Sequence, residues 1–126
     1  MTEPQFSDHD LNELQARNPD FHSKSYAFVC QALDSVTRSF VEPRHVTSLE
    51  LSESVKQRAI DEFGVMARTV LQYWGINSTA DVGRIVYAMV EQGILLPGDG
   101  DRPDHFDDLF DFQEAFESNY PWAVGV

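Results

Sequence analysis

Between Glu62 and Leu96 the chain carries two runs of helical pattern separated by one tight joint, Trp74-Gly75-Ile76-Asn77. Apolar residues recur three and four positions apart on both sides, at Met66, Val70 and Trp74 before the joint and at Val82, Ile85, Val86, Met89 and Val90 after it. That spacing predicts two amphipathic helices, and a joint this short makes them neighbours in space. Gly75 is the residue type that ends a helix, and Ser78, with Asp81 three positions on, is the type that starts one. Gly93 then closes the second helix, with Ile94 set for the apolar contact that accompanies a glycine cap. The stretch contains no catalytic, metal or phosphate signature, so it constrains the fold and not the chemistry.

The segments on either side extend the helical reading. Phe6-Ser7-Asp8-His9-Asp10-Leu11 reads as a capped start, and Asn18-Pro19 stops that first helix because proline disfavours helical geometry in the residue before it. Tyr26, Val29, Cys30, Leu33, Val36 and Phe40 then form the buried stripe of a second helix over Ser25–Phe40. Cys30 lies on that stripe and reads as a small core residue, with no base near it in sequence to activate a thiolate. The strongest start signal is Thr47-Ser48-Leu49-Glu50, a capping box, with Val46 and Leu51 as the staple around it. The third helix carries a stripe of Val55, Ala59 and Phe63 that runs without a phase break into Met66 and Val70; Gly64 between them predicts two helices meeting there. Met66 and Met89 read as core filler, and Gly83 as a point where a neighbouring helix approaches closely. Downstream, partial alternation over Phe106–Phe112 allows a short hairpin with Leu95 and its neighbours. Asp111-Phe112-Gln113-Glu114 reads as a further capping box, opening a helix with Phe112, Ala115, Phe116 and Tyr120 near one face. The fold expected is therefore mainly α: one domain over residues 1–126 with five or six helices, room for one short β-hairpin, and a winged-helix-like order around residues 65–112. Residues 1–5 have no pattern and are expected to be mobile, 97–105 form an acidic loop, and the apolar tail 121–126 is expected to dock on the core or on a partner.

Charge separates the ends from the middle. Of the formal net charge of −12, residues 1–20 contribute −4 (five acids, one base), residues 21–96 contribute −1 (eight acids, seven bases) and residues 97–126 contribute −7 (eight acids, one base). Such a field opposes nucleic acid and anionic membrane and favours a basic protein partner. The lone cysteine cannot form an internal disulfide, no basic start leads into an apolar run, and no apolar run reaches the ~20 residues of a membrane span. Those features point to the cytoplasm.

The run from Asp99 to Phe110 is rich in oxygen ligands, yet its sixth position is Asp104 where a helix-loop-helix calcium site needs glycine, and its twelfth is Phe110 where it needs glutamate. The four histidines and one cysteine lack the paired spacing of a zinc site, and no Gly-rich phosphate loop or nucleophile elbow occurs. No cofactor, metal or catalytic residue is assigned. A DNA-reading helix after the Trp74–Asn77 joint would offer Arg84 against Asp81 and Glu91, and the would-be wing carries Asp99, Asp101, Asp104, Asp107 and Asp108. The candidate interaction residues are thus Arg44 and His45, in the loop before the capped helix, with Arg84 and those five aspartates.

The combination of Arg44-His45-Val46-Thr47 and Glu50-Leu51, Phe63-Gly64 and Ala67-Arg68-Thr69-Val70-Leu71, Trp74-Gly75-Ile76, Thr79, Asp81 and Gly83, Ile85-Val86-Tyr87, Val90-Glu91 and Gly93, and Phe110-Asp111-Phe112 with Glu114-Ala115-Phe116 resembles an uncharacterised family of small bacterial proteins of about this length. Asn18-Pro19-Asp20-Phe21 and Tyr26-Ala27-Phe28-Val29 are similar too, so nearly the whole chain takes part. The resemblance implies a complete domain and brings no activity with it. The function expected is a protein-interaction or adaptor module. The alternatives are a winged-helix-like regulator associated with nucleic acid and a small ligand-binding protein or enzyme.

Overall fold

The computed structural model describes residues 8–42, 44–95, 98 and 100–118. The expected cap at Phe6-Ser7, the pattern-free residues 1–5, Asp99, Tyr120 and the 121–126 tail lie outside them. Five α-helices follow in order: α1 (Asp8–Arg17), α2 (Ser23–Ser39), α3 (Ser48–Phe63), α4 (Ala67–Tyr73) and α5 (Thr79–Glu91). A 3-10 turn, Gly64–Met66, joins α3 to α4, another spans Pro103–Phe106, and a π-helical turn covers Glu114–Ser118. No described helix is long and apolar enough to cross a membrane.

Local sequence explains where the helices begin and end. The α1 segment stops where the Asn18 backbone N–H and side-chain amide both donate to the Leu14 carbonyl, just before Pro19. Helix α2 starts two residues earlier than the apolar stripe suggests, because His22 caps it: its Nδ1 accepts the Lys24 N–H at 3.1 Å. At α3 the capping box is complete, with the Thr47 hydroxyl accepting the Glu50 N–H and the Glu50 carboxylate accepting the Thr47 N–H. Val46 and Leu51 are buried on either side of it. Helices α4 and α5 end alike. Gly75 and Gly93 stand at φ 95° and 80°, while Ile76 donates to Leu71 and Ile94 to Met89 across the last turn. That six-to-one bond with a left-handed residue inside it is the geometry glycine adopts without a Cβ penalty. Buried Ile76 and Ile94 then cover the ends.

Gly64 breaks the helix and does not merely bend it. Its N–H still bonds Ile60, but its backbone turns to φ 57° and ψ −132° before the 3-10 turn begins. The consequence corrects one expectation: Met66 is 51% exposed, not core. A 3-10 turn advances at three residues per turn, so the continuous stripe loses phase and Ala67, Leu71 and Trp74 take the inward positions. An aromatic trio seals the break against α2, with the Phe28, Phe63 and Trp74 rings at centroid separations of 5.3–5.8 Å. The angled contacts are the ones ring quadrupoles favour.

Helix α2 lies at the centre, packed against α1, α3 and α5, and buried residues from all five helices join one cluster. Cys30 is in it, 5% exposed, with its Sγ 3.4 Å from the Met89 sulfur. Burial pushes its thiol up to about 12, which fits an inert core residue.

Among the described residues there is no strand, so the expected hairpin is absent there. A 3-10 turn over Pro103–Phe106 runs from the acidic loop into the first residue of the expected arm, and Asp108 sits at φ 50°, which interrupts any straight run over Phe106–Phe112. Phe106 is the anchor of this segment. Its ring and Cβ lie directly on Gly83, where an added Cβ would meet the Phe106 Cβ at 2.7 Å. Gly83 thus admits a close neighbour as its sequence suggests, but the neighbour is a phenylalanine on a turn and not a long helix. Beyond it Asp111 caps the last turn, accepting the Glu114 N–H at 3.0 Å, with Phe112, Ala115 and Phe116 buried.

Candidate interaction surface

Two loops far apart in sequence meet beside the start of α3. Residues 44–47 lead into the helix, and residues 100–109 are held across from them by a buried threonine. The Thr79 hydroxyl donates to the Phe106 carbonyl at 2.7 Å and accepts the Leu109 N–H at 3.2 Å, and Thr79 is 1% exposed. With Phe106 seated on Gly83, this fastens the acidic loop to the first turns of α5. Between the two loops lies a cleft of about 360 Å³ lined by His45, Val46, Thr47, Ser48, Leu49, Asp101, His105 and Leu109.

Of the residues nominated from sequence, His45 and Asp101 line this cleft. Asp101 also shapes its own loop: a carboxylate oxygen accepts the Gly98 N–H at 2.7 Å while the Asp101 N–H donates to the Gly98 carbonyl. Gly98 is pressed between the two, since a Cβ there would stand 3.0 Å from the His45 ring and 3.1 Å from the Asp101 carboxylate. Arg44 stands at the edge. Its guanidinium meets the Glu50 carboxylate in a fork at 2.6 and 2.9 Å and lies 3.8 Å over the Phe40 ring centroid. The hydrogen bond from Arg44, with help from Thr47, holds the Glu50 carboxyl down to about 2. Arg44 therefore serves first as a brace for the capping box.

Asp104 is exposed and paired with Arg102 at 2.6 Å, which draws its carboxyl below the usual range. Tyr87, half-buried on α5, has its hydroxyl pushed up by burial and by the charges of Asp101 and Asp104, so the loop's field reaches the helix beneath. Asp107 and Asp108 are exposed at the turn after Phe106, and Asp99 lies outside the described residues. Arg84 is brought to a different place. It pairs with Asp20 at 3.0 Å and Asp81 at 3.3 Å and lies over Phe21, tying α5 to the α1–α2 connection.

His105 and Leu49 were not nominated. No sequence signal joins His105 to His45, because the two meet only after Thr79 has drawn the loop in; Leu49 stands 48% exposed on the capped turn, where its apolar character was readable but its exposure was not. Chemically the cleft offers two imidazoles, one carboxylate, the Thr47 and Ser48 hydroxyls and an apolar rim from Leu49 and Leu109. Among the described residues no group of three or more His, Cys, Asp or Glu side chains is placed to hold a metal ion. Such a lining suits polar and apolar contacts with a polypeptide. Comparison of the chain with known family models, curated proteins and solved structures finds no match.

Proposed function

We propose that the protein is a cytoplasmic protein-interaction module that takes a basic partner through the acidic loop 98–111 and the adjoining His45 cleft. The observation that carries this reading is the cleft itself, which joins the loop of Arg44 and His45 to Asp101 and so unites the two segments nominated independently from sequence. Exposed Asp107, Asp108 and Asp111 follow on the same segment, while Asp104 is paired with Arg102, so a cationic surface approaching there meets a predominantly negative field. Binding through such a surface weakens with salt. Affinity capture with the wild-type chain and an Asp107→Lys/Asp108→Lys variant tests the proposal: a specific partner should be retained by the wild type, released by salt and lost by the variant. Retention by the variant, or insensitivity to salt, refutes it.

The nucleic-acid reading is kept second because α4, the joint and α5 follow one another in the order such a regulator uses. Against it, Arg84 on α5 is already engaged by Asp20 and Asp81, and the loop that would serve as wing carries the aspartates. Absence of binding to duplex DNA at low salt eliminates it.

A further inference from the structure

The cleft beside the acidic loop does not end at α3. Leu49 borders it on one side, and on the other borders a second hollow of about 610 Å³ between α2 and α3, walled by Val36, Phe40, Glu50 and Glu53. Leu49 is thus the crest between two hollows, 48% exposed on the first turn of its helix. The capping box leaves it there, because Thr47 and Glu50 bond each other and Leu51 takes the buried position. Val36, Phe40 and Leu109 are each partly buried against the core, so apolar surface continues from the crest into both hollows.

The two hollows differ in charge. In the α2–α3 groove the carboxylates are already matched, Glu50 by Arg44 at 2.6 Å and Glu53 by Lys56 at 2.9 Å. A partner gains apolar contact there and little from charge. Across the crest, exposed Asp107 and Asp108 follow Asp101 along the loop, and there a cation gains. Charge alone therefore does not describe what fits. A run of lysines leaves the groove empty and Leu49 in water, while a purely apolar stretch leaves the aspartates unmatched. A segment with an apolar side chain next to cations satisfies both halves at once, in the pattern of an apolar centre with a charged rim.

We infer that the partner is a protein that enters with one such segment, an apolar side chain packed on Leu49 and turned towards Phe40 in the α2–α3 groove, with lysines or arginines lying along Asp107 and Asp108. This rests on the reading of the acidic loop as the site for a basic partner and adds the apolar anchor to it. The aspartates hasten and orient the approach, and the anchor sets how long the segment stays. Leu49 is thereby the residue that separates a partner segment from any other run of cations.

Two synthetic peptides test this by chemical-shift titration of the full chain in about 0.05 M salt: lysines around a central leucine, and the same peptide with serine at the centre. The leucine peptide should bind about tenfold more tightly, the effect of burying most of one leucine side chain. It alone should shift the amide signals of Leu49 and Glu53. Leu49→Ser should abolish that advantage, whereas Val65→Ser, 72% exposed on the 3-10 turn after α3, should keep it. Asp107→Lys/Asp108→Lys should weaken both peptides. Leu49 is half exposed and outside the core cluster, so Leu49→Ser should melt as the wild type does, and circular dichroism checks this. Equal affinity of the wild type for the two peptides overturns the anchor and leaves the acidic-loop reading standing; binding of neither overturns both. An advantage that survives Leu49→Ser also overturns the anchor. So does equally tight binding of a leucine peptide without lysines, or association of the chain with itself that Leu49→Ser abolishes.

Discussion

Gly83→Ala sets two effects of similar size against each other, and the structure says which wins. In an exposed helix, alanine for glycine stabilises by about 1 kcal/mol. At position 83 the new methyl would stand 2.7 Å from the Phe106 Cβ, 2.8 Å from its Cγ and 2.9 Å from its Cδ2. The first of those atoms is fixed to the backbone, so no rotamer change of Phe106 relieves the overlap; the Pro103–Phe106 turn itself must move. Overpacking of this kind costs about 1–3 kcal/mol. Moving the turn also strains the bond from Thr79 to the Phe106 carbonyl, a buried hydrogen bond whose loss costs about 1 kcal/mol more. The net expectation is a loss of about 1–3 kcal/mol, seen as a lower urea midpoint at unchanged slope and a fall in Tm of about 3–10 °C. Amide exchange should quicken at Leu109, whose N–H donates to Thr79. A Gly83→Ala protein as stable as the wild type, or more so, would mean that helix propensity won and that Phe106 does not sit on Gly83.

At the capping box, the Glu50 carboxyl is held at about 2 against an ordinary 4.5. Its ionised form therefore favours the folded state above pH about 4.5, and the benefit fades as pH falls towards 2; urea titrations of Glu50→Gln and wild type should differ at pH 7, draw together below pH about 4.5 and converge only as pH reaches about 2. Cys30, 5% exposed with its thiol pushed up to about 12, should resist a disulfide reagent at pH 8 in the folded protein and react once in urea; prompt native reaction contradicts its burial. Gly75→Ala and Gly93→Ala share the penalty of a positive φ, but a Cβ at 75 would overlap the Asp20 carbonyl oxygen while one at 93 meets nothing within 4 Å. Thermal melts should show the greater loss at 75, and equal losses would remove the contact between the α4–α5 joint and the α1–α2 connection.

What sequence could reveal follows from the range of the interactions. The Thr47–Glu50 capping box and the Gly75 and Gly93 stops are settled within six residues, and each stands where its local chemistry puts it. Met66 departs from its expected place because periodicity assumes one helical pitch, and the tighter turn over Gly64–Met66 moves it outward and gives the inward positions to Ala67, Leu71 and Trp74. The alternation over Phe106–Phe112 suggested an extended arm. Its apolar residues are buried or half-buried by other means: Phe106 on Gly83, and Phe110 stacked on Phe112 at 5.8 Å. For the candidate surface, loop position and charge were enough to nominate His45 and Asp101. Their meeting depends on the Thr79–Phe106 bond, 27 residues long in sequence, which no local pattern announces. The pairing of Arg84 with Asp20, 64 positions away, is announced by no local pattern either.

The Trp74–Asn77 joint takes on a second role in this light. It ends α4, whose outer face carries the exposed Tyr73, and two residues later Thr79 begins α5 and holds the acidic loop through Phe106. On its inner side the Trp74 carbonyl accepts the His22 N–H at 3.0 Å, fastening the joint to the cap of α2. One short connection therefore positions both the outer face of α4 and the attachment of the acidic loop against the central helix. Because the joint is braced on α2, its buried Trp74 and Ile76 leave little freedom for one surface to shift while the other stays. A change that loosens the joint should disturb both surfaces together, whereas changes at Asp107 or Tyr73, exposed and at its periphery, should separate them.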